Sequence, residues 1–218
     1  MAKTVVLEGI DGSGKSTQFA LAQKALSGRG VPQCAVKFPR YETPSGKNIR
    51  RYLDGDFGQR PEDVSPYAAS AFYAVDRYAS FKSEWESFYR SQEKGVVLLD
   101  RYTPSNAVHQ ASKLPKGERT AFYDWLAGFE YRLMGLPEPD AVLILDMPIE
   151  YARRLTHARG EEDIHERAGG YIERCYETMI DAARHFGWTL IPCVEAGEIL
   201  PPGTIHRSVM REVEKLLL

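Results

Sequence analysis

The chain has 218 residues, enough for one large domain that buries its own core without cross-links. Hydrophobic residues make up 43% and charged residues 27%, a globular composition that excludes a disordered chain. A net charge of −2 supplies no global positive field. Neither nucleic acid nor an anionic membrane is therefore expected as a partner, and any phosphate must be held by local cations. The cysteines Cys34, Cys175 and Cys193 lie far apart, which predicts neither a disulfide framework nor a zinc site and suits a cytoplasmic protein. The first apolar run, Val5-Val6-Leu7, is too short for a secretory leader, and no stretch approaches the ~20 apolar residues of a membrane span.

In chain order, Thr4–Leu7 reads as a buried strand, followed by a helix over Ser16–Leu26 that closes at Gly28 and Gly30. A weaker strand covers Gln33–Val36. Ser65 and Pro66 are an N-cap and a first helical residue, opening a helix expected to run through Tyr89. Val96–Leu99 is a second apolar strand, then a helix over Lys116–Met134, a third apolar strand at Ala141–Leu145 and a helix over Ile149–Leu155. A helix over Arg167–Phe186, a weaker strand at Thr189–Val194 and a helix over Thr204–Leu217 complete the chain. Strands alternating with helices, without repeat or linker, predict an α/β fold: one domain over 1–218, three layers, a five-stranded parallel sheet flanked by helices.

Gly9-Ile10-Asp11-Gly12-Ser13-Gly14-Lys15-Ser16 matches G-x-x-x-x-G-K-[ST], with a strand before it and a helix after it. Gly9, Gly12 and Gly14 let backbone N–H groups turn around phosphate oxygens, and the helix start adds a positive dipole end. Lys15 is placed for the β- and γ-phosphates and the Ser16 hydroxyl for Mg²⁺, with Ser13 and Thr17 completing the ATP-binding loop. Val96–Leu99 ends in Asp100, the arrangement of a Walker B strand, and strand ends are where ligands sit in open α/β sheets. An apolar strand ending in Asp is common by itself; beside the glycine loop it points to a nucleotide-bound metal.

With that loop, the run Asp100-Arg101-Tyr102 resembles the thymidylate kinase family, and further similarities extend along the whole chain. Phe38-Pro39-Arg40-Tyr41 resembles the segment after the second strand, Tyr52-Leu53 the helix bordering the acceptor site, and Asp76-Arg77-Tyr78 the acceptor-binding helix. Ser105-Asn106 falls in the segment after Asp-Arg-Tyr, and residues 159–166 resemble a mobile lid, placed at about 153–170. The resemblance implies transfer of the γ-phosphoryl group of ATP to dTMP with Mg²⁺, and a homodimer.

It also implies roles. Arg40, Arg77 and Arg101 are candidate cations for the dianionic acceptor phosphate, with Tyr41 donating a hydrogen bond; Arg77 has the base edge as its alternative. Tyr73 takes the place of the ring that stacks on thymine and shares a helix face with Arg77, whereas Phe72 points elsewhere, to packing. Leu53, Phe38, Pro39, Ser105, Asn106 and His109 line the acceptor site in this reading, His109 standing where many members place a Tyr or Phe beside the sugar C2′. Asp11 is expected to contact the acceptor's 3′-hydroxyl and the metal's water shell, with a loop-stabilising turn as the alternative. Ser16, Asp100 and Glu166 are the metal-site candidates. Gly12 replaces an arginine that some members carry in this loop, so the lid must supply the catalytic cation. Arg159 is expected to do so, Arg153 and Arg167 being alternates, with Arg154 near the adenine and Gly160 and Gly169-Gly170 as hinges.

Two other classes make different demands. A deoxynucleoside kinase needs a carboxylate base for a neutral hydroxyl, whereas these arginines suit a monophosphate. A GTPase switch needs an Asn-Lys-x-Asp guanine motif, which the sequence lacks.

Overall fold

The computed structural model describes residues 1–156 and 170–217. Strands β1 (Lys3–Glu8), β2 (Gln33–Lys37), β3 (Val96–Asp100), β4 (Ala141–Asp146) and β5 (Thr189–Pro192) form one parallel sheet in the order β2-β3-β1-β4-β5. The three central strands are those with unbroken apolar runs. Val5, Val6, Leu7, the whole of Val96–Leu99 and Leu143–Leu145 are fully buried, as strands covered on both faces must be. The two strands expected from weaker runs, β2 and β5, are the edges, where partial exposure tolerates Gln33, Lys37 and Thr189.

Helices α1 (Lys15–Gly28) and α9 (Pro202–Lys215) pack on each other, and α5 (Thr103–His109) packs on α6 (Arg119–Ala127) and α8 (Tyr171–Phe186). The remaining helices are α2 (Lys47–Leu53), α3 (Pro66–Ser80), α4 (Glu86–Ser91) and α7 (Ile149–Thr156). The central cluster joins both faces of the sheet; a smaller one, built on Ile49, Tyr52, Leu53, Val64 and Ala69, lies between α2 and α3. The cysteines are unpaired, as expected, and burial pushes the Cys175 thiol up to about 11 and that of Cys193 up to about 12.

Three expectations are corrected. The helix expected from Ser65 through Tyr89 is interrupted by a widened π-turn at Phe81–Trp85, and Ser65 makes no side-chain cap bond. The helix expected over Lys116–Met134 is a 3₁₀ turn, then α6, then a second π-turn at Gly128–Leu133. In each case the extra residue rotates the helix face: it buries Phe81 and Trp85 in the first and Glu130 in the second. The last strand stops at Pro192, and Val194–Glu195 pairs instead with Glu198–Ile199 in a hairpin closed by Ala196 and Gly197 at φ 51° and 81°.

Candidate active site

Register brings the site together. Parallel pairing sets Leu7 and Lys37 beside Asp100 and Glu8 beside Ile144, so the carboxyl ends of β1, β2 and β3 present Glu8, Lys37 and Asp100 along one sheet edge. The phosphate loop leaves β1 at that edge and enters α1. Its glycines Gly9, Gly12 and Gly14 all have positive φ, and Gly14 caps α1 with no side-chain bond to the free N–H groups. No acidic residue occupies the first turn of α1 to offset its positive end from within the helix. The Ser13 hydroxyl is buried and, among the described residues, has no hydrogen-bond partner, as expected of a cradle built for a ligand.

The Lys15 ammonium is buried and donates to the carbonyls of Gly9 at 2.7 Å and Ile10 at 3.0 Å. Burial pulls its proton affinity below the ordinary lysine value, and nearby Arg101 adds to that. Asp100, 8% exposed, lies 3.8 Å from Lys37. Ser16 and Thr17 are exposed at the start of α1. Among the described residues no cluster of three or more His, Cys, Asp or Glu could hold a metal unaided. A Mg²⁺ ion that arrives on phosphate oxygens and keeps its waters needs only one or two protein oxygens, which the Ser16 and Asp100 pair can offer.

Beside the loop stands Arg101. Its backbone is left-handed, φ 66°, a strained conformation for a residue with a side chain and one that clusters at functional sites. Its Nη2 donates to Asp11 Oδ1 at 2.5 Å, and its Nη1 to Glu8 Oε1 at 3.2 Å and His109 Nε2 at 3.1 Å. Burial disfavours the Arg101 charge, but the Asp11 and Glu8 carboxylates outweigh it and hold the guanidinium charged. Desolvation pushes the Asp11 carboxyl up, yet Arg101 and then Lys15 pull harder, leaving it well below the usual carboxylate range. Asp11 is thus an ion-pair partner of two cations, and its side chain is half exposed to the cleft. Because a guanidinium only donates, His109 Nε2 must accept; Nδ1–H then faces the Tyr171 hydroxyl at 2.9 Å, and the two rings stack.

Arg40 is steered by Asp76, which accepts from its backbone N–H at 2.9 Å and its Nε at 3.2 Å, while Glu84 binds Nη1. Tyr41 and Tyr73 border the small apolar cluster, Tyr73 edge-on to Tyr52 at 6.4 Å; Phe72 packs on Tyr52 and Phe57, in line with its expected packing role. Leu53 is buried in the same cluster, and Phe38, 7% exposed, packs on Tyr102.

Arg77, expected at the acceptor phosphate or at the base edge, stands inside the fold. It is fully buried, and its Nε and Nη2 grip both oxygens of Glu130 at 2.6 Å. Ser105 is hydrogen-bonded to Glu8, and Asn106 to Glu130 and the Ser70 carbonyl. The lid residues Arg159, Gly160, Glu166, Arg167 and Gly169 lie outside the described residues. Of the others, Arg153 pairs with Glu173, and the guanidinium of Arg154 lies 5.3 Å over the Tyr151 ring.

Sequence reasoning missed Glu8, Glu130 and Tyr171, and gave Asp76, quoted in the acceptor-helix motif, no role of its own. Glu8 carried a usable signal, since it ends an apolar strand just as Asp100 does. Glu130 carried none: an acid in an amphipathic stretch reads as solvated, yet here it is fully buried.

A glycine cradle on a helix start, an invariantly charged arginine beside it and an acid at the neighbouring strand end define a P-loop phosphotransferase of the nucleotide-kinase class. Comparison with known proteins narrows this. The thymidylate kinase family model matches residues 7–195, and the chain belongs to that family. The thymidylate kinase of Mycobacterium tuberculosis strain H37Rv is 29% identical over 160 residues, 73% of this chain and 72% of that one. A putative thymidylate kinase of Aeropyrum pernix is 31% identical over 193 residues, 87% and 84% of the two chains. A solved thymidylate kinase from Candida albicans superposes with a TM-score of 0.71 at 19% identity, covering 98% of this chain and 92% of that one, which supports the fold.

Proposed function

We propose that the chain transfers the γ-phosphoryl group of ATP to the 5′-phosphate of dTMP, giving dTDP and ADP. The observation that carries this reading is Arg101, held between the phosphate loop and the acceptor side by Asp11, Glu8 and His109. A cation at that seam can bind the acceptor dianion without leaving the phosphate loop's field. Lys15 and the loop amides hold the ATP phosphates, Arg40, Arg101 and Tyr41 the acceptor phosphate, and Tyr73 stacks on the base, with Ser105, Asn106 and His109 around base and sugar. Ser16 and Asp100, with Glu166, would hold Mg²⁺, which neutralises charge on the transferred group. The expected setting is a homodimer in the cytoplasm; among the described residues no helix is long and apolar enough to cross a membrane.

A deoxynucleoside kinase fits less well. Its base must take a proton from a neutral hydroxyl, and Asp11, drawn far below the ordinary carboxylate range by Arg101 and Lys15, is a weak base. ADP release across a panel of nucleoside monophosphates with Mg²⁺ tests the assignment. dTMP is expected to be turned over fastest, and equal rates with AMP and dTMP would overturn it.

Gly46→Ala provides a local check on the acceptor loop. A Cβ there would stand 1.8 Å from the Arg40 carbonyl oxygen and 2.5 Å from its carbon, so the Arg40 backbone must move. The KM for dTMP is expected to rise roughly tenfold, the equivalent of ~1–3 kcal/mol of overpacking, with the KM for ATP little changed. Equal effects on both substrates would show that Arg40 does not serve the acceptor.

A further inference from the structure

We propose that Lys113 is a positioning residue: its ammonium ties α2 to the segment after α5 and thereby sets the affinity for the acceptor. This rests on the acceptor reading above. Lys113 ends the 3₁₀ turn Ala111–Lys113, and its neighbours Ala111 and Leu114 pack in an apolar cluster with residues of α5, α6 and α8. Tyr52, Leu53 and Val64 belong to the separate cluster between α2 and α3. The lysine side chain runs from the first cluster to the second. Its Nζ donates to the Tyr52 hydroxyl at 2.6 Å and to the Val64 carbonyl at 3.3 Å, and lies 5.0 Å from the Tyr52 ring centre.

The contacts continue toward the acceptor residues. Tyr52 meets Tyr73 edge-on at 6.4 Å, and Tyr41 and Tyr73 both pack against the cluster that holds Tyr52 and Leu53. Tyr41 and Tyr73 are the side chains assigned above to the acceptor phosphate and the base. On the other side, Lys113 follows directly on α5, which carries Ser105 and His109. Loosening α2 from α5 would therefore disturb the acceptor side, while the phosphate loop, fixed between β1 and α1, stays in place.

The charge of this link can be removed by pH. Among the described residues no carboxylate pairs with Lys113; a hydroxyl, a carbonyl and a ring stand where a counter-ion would. Burial lowers the ammonium to about 8, against a smaller opposing pull from Glu62 and then Cys175. Glu62, on the 3₁₀ turn Pro61–Asp63, is itself paired with Arg174 of α8 at 3.3 Å. Also on α8, burial pushes the Cys175 thiol up to about 11 and the Tyr171 hydroxyl well above its ordinary value, so both stay neutral. His109 of α5 is engaged with Arg101 and Tyr171. Below pH 8 the ammonium donates with its charge; as pH rises through that value it becomes an amine, whose bonds to the same acceptors are roughly half as strong. Affinity for dTMP should be highest below that value and fall above it.

The test is KM for dTMP and for ATP, from about pH 7 to about pH 9, a range in which the acceptor phosphate is already a dianion. The proteins are the wild type, Lys113→Met, Lys113→Arg and Tyr52→Phe, with thermal melting as a check on folding. In the wild type the dTMP KM is expected to rise about threefold, centred near pH 8, with no matching step in the ATP KM. Lys113→Met keeps the stem without the charge, so its dTMP KM should stand about tenfold above wild type at pH 7 and stay flat. Lys113→Arg carries a charge that does not titrate; its dTMP KM should stay near the wild-type neutral value across the range. A rise that persists in Lys113→Arg, a dTMP KM within twofold of wild type in Lys113→Met, or equal increases for both substrates would overturn the proposal. Should neither form at 113 fold, Tyr52→Phe decides, because it removes one acceptor and leaves the lysine. Its dTMP KM at pH 7 is expected to rise about threefold, and an unmoved value is equally fatal. Absence of dTMP turnover in the wild type would remove the functional reading as well; normal turnover with a flat dTMP KM removes this inference alone.

Discussion

Lys15→Ala is expected to lower kcat by about 10³-fold or more while leaving the chain folded. Its ammonium is the buried cation of the phosphate loop, and removing one preorganised donor from such a site costs on the order of 10²–10³ in rate before its full charge is counted. Folding should not suffer, because burial makes this charge a burden in the folded chain. A lysine whose folded value is depressed below its unfolded one destabilises fully below the folded value, and the effect fades as pH rises toward the unfolded value. Lys15→Ala removes that burden but also the bonds to the Gly9 and Ile10 carbonyls. Its melting temperature relative to wild type should therefore be most favourable near neutral pH and less so in alkali. A coupled ADP assay with melting curves across pH checks both parts. Normal turnover in the mutant would remove Lys15 from the chemistry.

Arg159→Ala is expected to lower kcat by about 10³-fold with little change in dTMP binding, the effect of losing an arginine that stabilises transition-state charge. The reasoning starts in the phosphate loop. Gly12 has φ 82°, a conformation that a side chain adopts only with strain, and it brings no cation of its own. Arg101, shared among Asp11, Glu8 and His109, serves the acceptor phosphate in the proposed reading, and Arg77 is gripped by Glu130. The transferred phosphoryl still needs a counter-charge as it leaves ADP, and Arg159, in the sequence after α7, is the residue proposed to supply it. Single-turnover rates and dTMP binding measured separately distinguish this from a binding defect. A loss below tenfold would move the role to Arg153 or Arg167.

Legibility followed the distance over which each feature is decided. The glycine loop, the strand before it and the helix after it occupy Lys3–Gly28, so their order in the chain is their order in space. The central strands were readable to within about a residue because burial on both faces demands unbroken apolar runs. Asp100 followed from the strand it ends, and Arg101 from the resemblance of the run Asp100-Arg101-Tyr102. By contrast, the π-turns depend on which side chains the core must receive, and no local propensity encodes that.

The sequence by itself determined the class of chemistry: a phosphate cradle, the acid at the neighbouring strand end and a set of arginines, all written in contiguous motifs. Only the tertiary structure decided which carboxylates each arginine meets. Arg77 meets Glu130 across 53 positions, Arg40 meets Asp76 across 36, and Arg101 meets Asp11 across 90. The physical reason is that a guanidinium's role is set by the carboxylates within hydrogen-bond reach, and packing, not sequence spacing, brings those carboxylates there. A buried arginine gripped by one glutamate becomes part of the frame, and an arginine shared among Asp11, Glu8 and His109 at the cleft stays available to a phosphate.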